Sequence, residues 1–229
     1  MLKRLVLGIG LLVASLAVAT PAQAAAVLDF STGLAGTGGL ITLFADGSVR
    51  GQNLPIGALT VSNTGAGDGV YFVTGTATGT GIGGNPGFGS LNFATGGQAG
   101  ASSVSIMGCV AALSVGSNPC NAPVLLLSGT ISGFDTSLAA QGLVSAFGPD
   151  SKNPSLLRAL GLSPETPFAF FGSSFATNAP LIAGGQGSSG TSTDIRNTAV
   201  PEPGSMVLLG TGLLGLARAA RRRMGAAQA

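Results

Sequence analysis

Few residues of this chain could do chemistry. Two cysteines, Cys109 and Cys120, bracket the stretch GCVAALSVGSNPCN, eight carboxylates are scattered along the sequence, and histidine is absent. Without imidazole there is no Ser-His-Asp or Cys-His route to an activated nucleophile, and no histidine-ligated metal. The Gly-x-Ser-x-Gly elbow is missing as well. Two thiolates alone cannot complete the four ligands that zinc takes. Paired carboxylates remain, since glycoside hydrolysis needs only two acids at a set separation. Most of the acids, however, stand in turn contexts such as Asp46-Gly47, Gly67-Asp68-Gly69 and Pro149-Asp150, where Asp is favoured for local hydrogen bonding. GAGDGVYF has the look of one turn of a calcium-binding Gly-Asp array, but such sites are built by stacking repeats and there is one copy. GTGIGG, Gly79 to Gly84, fits a dinucleotide-binding glycine pattern only formally, because Asn85-Pro86-Gly87 follows where a helix is required. No catalytic residue, cofactor or metal ligand is assigned on these grounds.

The elements around these residues belong to an exported chain. MLKRLVLGIGLLVASLAVATPAQA has a basic start at Lys3 and Arg4, an apolar run, and Ala22-Gln23-Ala24. That order is a secretory signal peptide over 1–24, with Ala22 and Ala24 forming the small-residue cleavage site. In an oxidising compartment Cys109 and Cys120 are expected to pair across the turn residues Gly116 to Pro119. Between Ala25 and Pro203 the bases are Arg50, Lys152, Arg158 and Arg196 against eight acids, about minus four overall. A nucleic-acid partner needs a positive face, and this body lacks one.

From residue 25 to 183 strand signals alternate with turns. GLITLFADGSVRG places Ile41 and Leu43 on one face ahead of a hairpin dipeptide, Asp46-Gly47. ALTVSNTGAGDGVYFVTGTAT, GFGSLNFAT, SSVSIMG and PVLLLSGTISGF continue in the same way, with apolar runs of strand length. The spacing predicts an all-β, Gly-rich β-sandwich or barrel-like domain. One short helix interrupts it: Asn153 as cap, Pro154 at the first position, Leu156, Leu157 and Leu160 on one face, Gly161 at the end. The phenylalanines of PFAFFGSSFAT, Phe168, Phe170, Phe171 and Phe175, read as core. GGQGSSGTSTDIRNTA, 184–199, has almost no large apolar residue and reads as a flexible linker.

The end of the chain differs. Val200-Pro201-Glu202-Pro203 is held extended by its prolines. A short apolar helix is expected over about 204–220, followed by Arg218, Arg221, Arg222 and Arg223. Its apolar heart, Met206 to Ala217, spans about 18 Å as helix against a hydrocarbon core of about 30 Å, so it holds a membrane weakly. The arginines stay on the cytoplasmic side. An extended peptide just outside the bilayer, a marginal anchor and a basic stop suit transient retention followed by cutting.

This combination over 200–229 resembles the PEP-CTERM sorting signal. The resemblance implies recognition by exosortase, a membrane protease of Gram-negative bacteria, after export by the general secretory translocon and signal peptidase, with transient residence in the inner membrane. It further implies delivery to the cell surface or to an extracellular exopolysaccharide matrix. The expectation is a non-enzymatic surface or biofilm-matrix protein. The alternatives are a carbohydrate-binding or glycan-processing domain delivered by the same signal, or an uncleaved membrane-anchored surface protein. Sugar platforms are usually aromatic, and the chain has no Trp and one Tyr, Tyr71.

Overall fold

In the computed structural model, residues 26–80, 87–199, 211–213 and 215 are described. The chain lays down thirteen strands among them. The first five are β1 (Val27–Ser31), β2 (Gly38–Leu43), β3 (Val49–Ile56), β4 (Ala58–Ser62) and β5 (Gly69–Phe72). Then come β6 (Thr74–Ala77), β7 (Phe88–Ala94), β8 (Ser103–Gly108), β9 (Val124–Gly129) and β10 (Gly133–Asp135). The last three are β11 (Leu143–Lys152), β12 (Phe168–Thr177) and β13 (Ser188–Ala199), with one helix, α1 (Pro154–Ala159), between β11 and β12.

Eight strands close on themselves in the order β11-β9-β8-β7-β3-β2-β13-β12, and β12 returns to β11. Of the two architectures the sequence allows, the barrel is therefore the one formed, because β12 bonds to neighbours on both sides where a sandwich would leave edges. β13 is long enough to serve two partners along one edge. Its first part pairs with β2 and its later part, Asp194 to Thr198, pairs with β1. From β1 the sheet continues through β4 to β5 as a wing off the barrel, while β10 extends β11.

Alternation decides which side chains fill the interior. Ile41, Leu54, Ile56, Leu91, Phe93, Ile106, Leu126 and Leu127 are buried from the barrel strands, and Leu28, Phe30, Leu59 and Val61 of the wing join the same core. Phe93 and Phe175 stack with ring centroids 4.2 Å apart. Phe168 is buried too; the side chains of Phe170 and Phe171 lie outside the described set. The Asp46-Gly47 turn forms as read. Phe44 N–H donates to Ser48 O at 2.8 Å, while the Asp46 carboxylate accepts from Ser48 N–H and Ser48 Oγ–H and reaches across to Gln98 N–H.

α1 also forms where its signals fall. The Asn153 side chain accepts from the amides of Ser155 and Leu156, Pro154 opens the helix, and Leu156, Leu157 and Leu160 are buried. Gly161 follows with φ +74°, the left-handed conformation that ends helices cheaply only in glycine.

The region 184–199 departs from the linker reading. Only its first residues form a turn, in which Gly184 N–H bonds to Leu43 O; the rest is β13, twelve residues in the middle of the sheet. The composition misled because the interior here is already filled from across the barrel. A Cβ on Gly190 would come 2.6 Å from Leu54 Cδ2, so this strand must present small residues where others present leucine. The folded body thus extends to Ala199 rather than stopping at 183.

Candidate functional site

The end of β13 is where the fold meets the terminal segment. Ala199 pairs with Phe168 of β12, and its N–H donates to Ala26 O at 2.9 Å. Thr198 pairs with Val27 of β1. The described chain therefore enters and leaves the sheet side by side, immediately after the expected signal-peptide cut and immediately before Val200. The cleavage residues Ala22 and Ala24, the motif residues Val200, Pro201, Glu202 and Pro203, and the arginines Arg218, Arg221, Arg222 and Arg223 lie outside the described residues. So does most of the expected helix over 204–220, of which 211–213 and 215 are helical. Among the described residues no helix is long and apolar enough to cross a membrane.

Just inside this end of the barrel lies a group that reading by composition missed. β11 alternates inward and outward residues over its whole length, and its last two inward positions are Asp150 and Lys152. The two form an ion pair with both side chains fully enclosed. Lys152 Nζ also donates to Asn197 Oδ1 of β13 at 2.9 Å and stands 4.6 Å from the centre of the Phe168 ring. Asn197 Nδ2 donates to Ile195 O at 3.0 Å. Burial raises the Asp150 carboxyl against the pull of Lys152, and burial lowers the Lys152 ammonium to about 8 against the pull of Asp150. The signal that could have exposed them is the period-two phase of LVSAFGPDSK, which puts an acid and a lysine where apolar residues belong.

On the outer face of β13, Arg196 sits opposite Asp29 of β1, with Asp194 two residues before it. Partial burial, then a hydrogen bond to Asp194 and its charge, push the Asp29 carboxyl up to about 7, partly offset by Arg196. Asp68, the acid of the single calcium-like turn, is occupied by its own loop: it accepts from the amides of Asn63 and Thr64 and from Thr64 Oγ–H. No three His, Cys, Asp or Glu side chains converge among the described residues. Cys109 and Cys120 are joined in a disulfide, Cα to Cα 5.8 Å, and Cys109 is pinned to Thr74 by reciprocal backbone bonds.

The arrangement is that of an all-β protein whose closing strand runs straight into a C-terminal address. Residues 199–223 match the PEP-CTERM protein-sorting motif, a span that begins on the final residue of β13. The chain carries a PEP-CTERM sorting motif, which implies processing by exosortase and export to the envelope or surface of a Gram-negative bacterium. No curated protein matches the chain, and no solved structure does.

Proposed function

We propose that this protein is a non-enzymatic component of the cell surface or extracellular matrix, associated with exopolysaccharide, and freed from the inner membrane by cleavage at Val200–Pro203. Signal peptidase and the general secretory translocon act on it first. The observation that supports this reading is the join at Ala199. Two rows of hydrogen bonds, to β1 and to β12, hold the strand up to the residue where the motif match begins, so the barrel is a rigid body tied closely to a tether built to be severed. Its interior is filled with side chains, which suits a structural module.

Intact-mass measurement of the released protein tests this. The expected product begins near Ala25 and ends near Pro203, and Glu202→Ala leaves the protein in the membrane fraction. A released product retaining Arg221 to Arg223 defeats the reading. The Asp29–Asp194 carboxyl pair favours a second reading, glycan binding or processing. Glycan capture abolished by Asp29→Asn with the barrel intact selects it.

A further inference from the structure

We propose that Lys152 and Asn197 become joined by an intramolecular isopeptide bond inside the barrel, with Asp150 taking up the proton that frees the amine. The starting point is a broken rule. An enclosed ion pair returns little stability, since apolar side chains of similar volume usually serve as well or better. Packing therefore gives no reason for Asp150 and Lys152 to occupy inward positions of β11 beside Asn197.

Their arrangement suits acyl transfer. Lys152 Nζ lies 2.9 Å from Asn197 Oδ1, and the amide carbon is one carbonyl bond, about 1.2 Å, behind that oxygen. The bond from Asn197 Nδ2 to Ile195 O orients the amide so that its oxygen faces the amine. Rigid strands hold both groups, which removes most of the entropic cost of bringing them together. Asp150 touches the reacting nitrogen through Oδ1, while its Oδ2 is buried with no partner and can carry a proton. Only an unprotonated amine is a nucleophile, and the shifts of both groups toward their neutral forms favour it.

The steps balance without a further reagent. Lys152 passes one proton to the Asp150 carboxylate. The free amine attacks Cγ of Asn197, forming the new C–N bond; the tetrahedral adduct moves a second amine proton onto Nδ2, the Cγ–Nδ2 bond breaks, and ammonia departs. Asp150 is left as the neutral acid. The product is a secondary amide linking β11 to β13 across β12, three residues before Val200, so that pull on the tethered end meets a covalent stop before it can strip β13 from the barrel.

Peptide mapping of the full exported chain, reduced and denatured, tests this. Trypsin is expected to leave Lys152 uncut, and a branched peptide joining the Lys152 and Asn197 segments appears, lighter than its parts by one ammonia. Recovery of unlinked peptides ending at Lys152 from folded wild-type protein overturns the proposal, whatever any variant does. Asp150→Asn, with strand content checked by circular dichroism, is expected to slow linkage by about a hundredfold. Asp150→Glu, which keeps a carboxyl, links faster than Asp150→Asn. Linkage at the wild-type rate in a variant without the carboxyl overturns the role of Asp150.

Discussion

Replacing Ile195 by alanine separates a barrel strand from a linker. Ile195 is fully buried on β13, opposite Phe30 of β1. Truncation removes three carbons from the core, which at about 0.8 kcal/mol each is roughly 2.4 kcal/mol of lost transfer energy. The cavity left behind adds to this, for a total of about 2.5–4 kcal/mol. For a folded body of this size each kcal/mol lowers Tm by about 2–4 °C, so the expected drop is about 5–15 °C. Thermal melts followed by far-UV circular dichroism measure it, with the exposed neighbour Ser192→Ala as a control expected to melt with the wild type. If Ile195→Ala also melts within a degree of wild type, 184–199 contributes nothing to the fold and the reasoning from β13 fails.

Two further predictions concern stability. Replacing Cys109 and Cys120 with serine opens an eleven-residue separation and is expected to cost about 3 kcal/mol; reductant should then lower the melting point of the wild type only. For Asp29, the folded state keeps its proton up to about 7 while the unfolded chain releases it near 3.8. This contribution is therefore complete below about pH 4 and is lost as pH rises through 7. Asp29→Asn should match wild type at pH 3.5 and exceed it at pH 8 by about 1–2 kcal/mol once solvent screening of a half-buried site is allowed for. Denaturant midpoints at the two pH values check it, and a gap of the same size at both refutes the assignment. The difference between variant and wild type cancels the acids held low by their own turns, Asp46, Asp68 and Asp135.

What was legible in the sequence was what is decided locally. Asn153-Pro154 with Gly161 marks a helix by rules spanning a few residues, Asp46-Gly47 marks a turn in the same way, and Cys109 and Cys120 are near neighbours along the chain. The closure of the barrel was not legible, since it rests on pairings such as Ser188 with Ile41 that span most of the folded body. β13 was concealed for a related reason: Gly190 is small because Leu54, far away in sequence, already occupies the space. Lys152 enters the charge balance as one base among four because composition carries no phase, and only the strand alternation turns it inward. The sorting signal was the most readable part, because its prolines, apolar run and arginines form one contiguous pattern along the chain, matched over residues 199–223.

The strand that shuts the barrel is the last one before the sorting motif, and its Thr193 N–H reaches back to Thr32 Oγ1, 161 residues earlier. A chain exported from its N-terminus cannot make this connection until β13 has emerged, and the motif matched over residues 199–223 begins on the last residue of that strand. Under the proposed function, completion of the fold and arrival at the processing protease therefore coincide, and the cut then falls on a molecule whose last strand has only just joined the sheet.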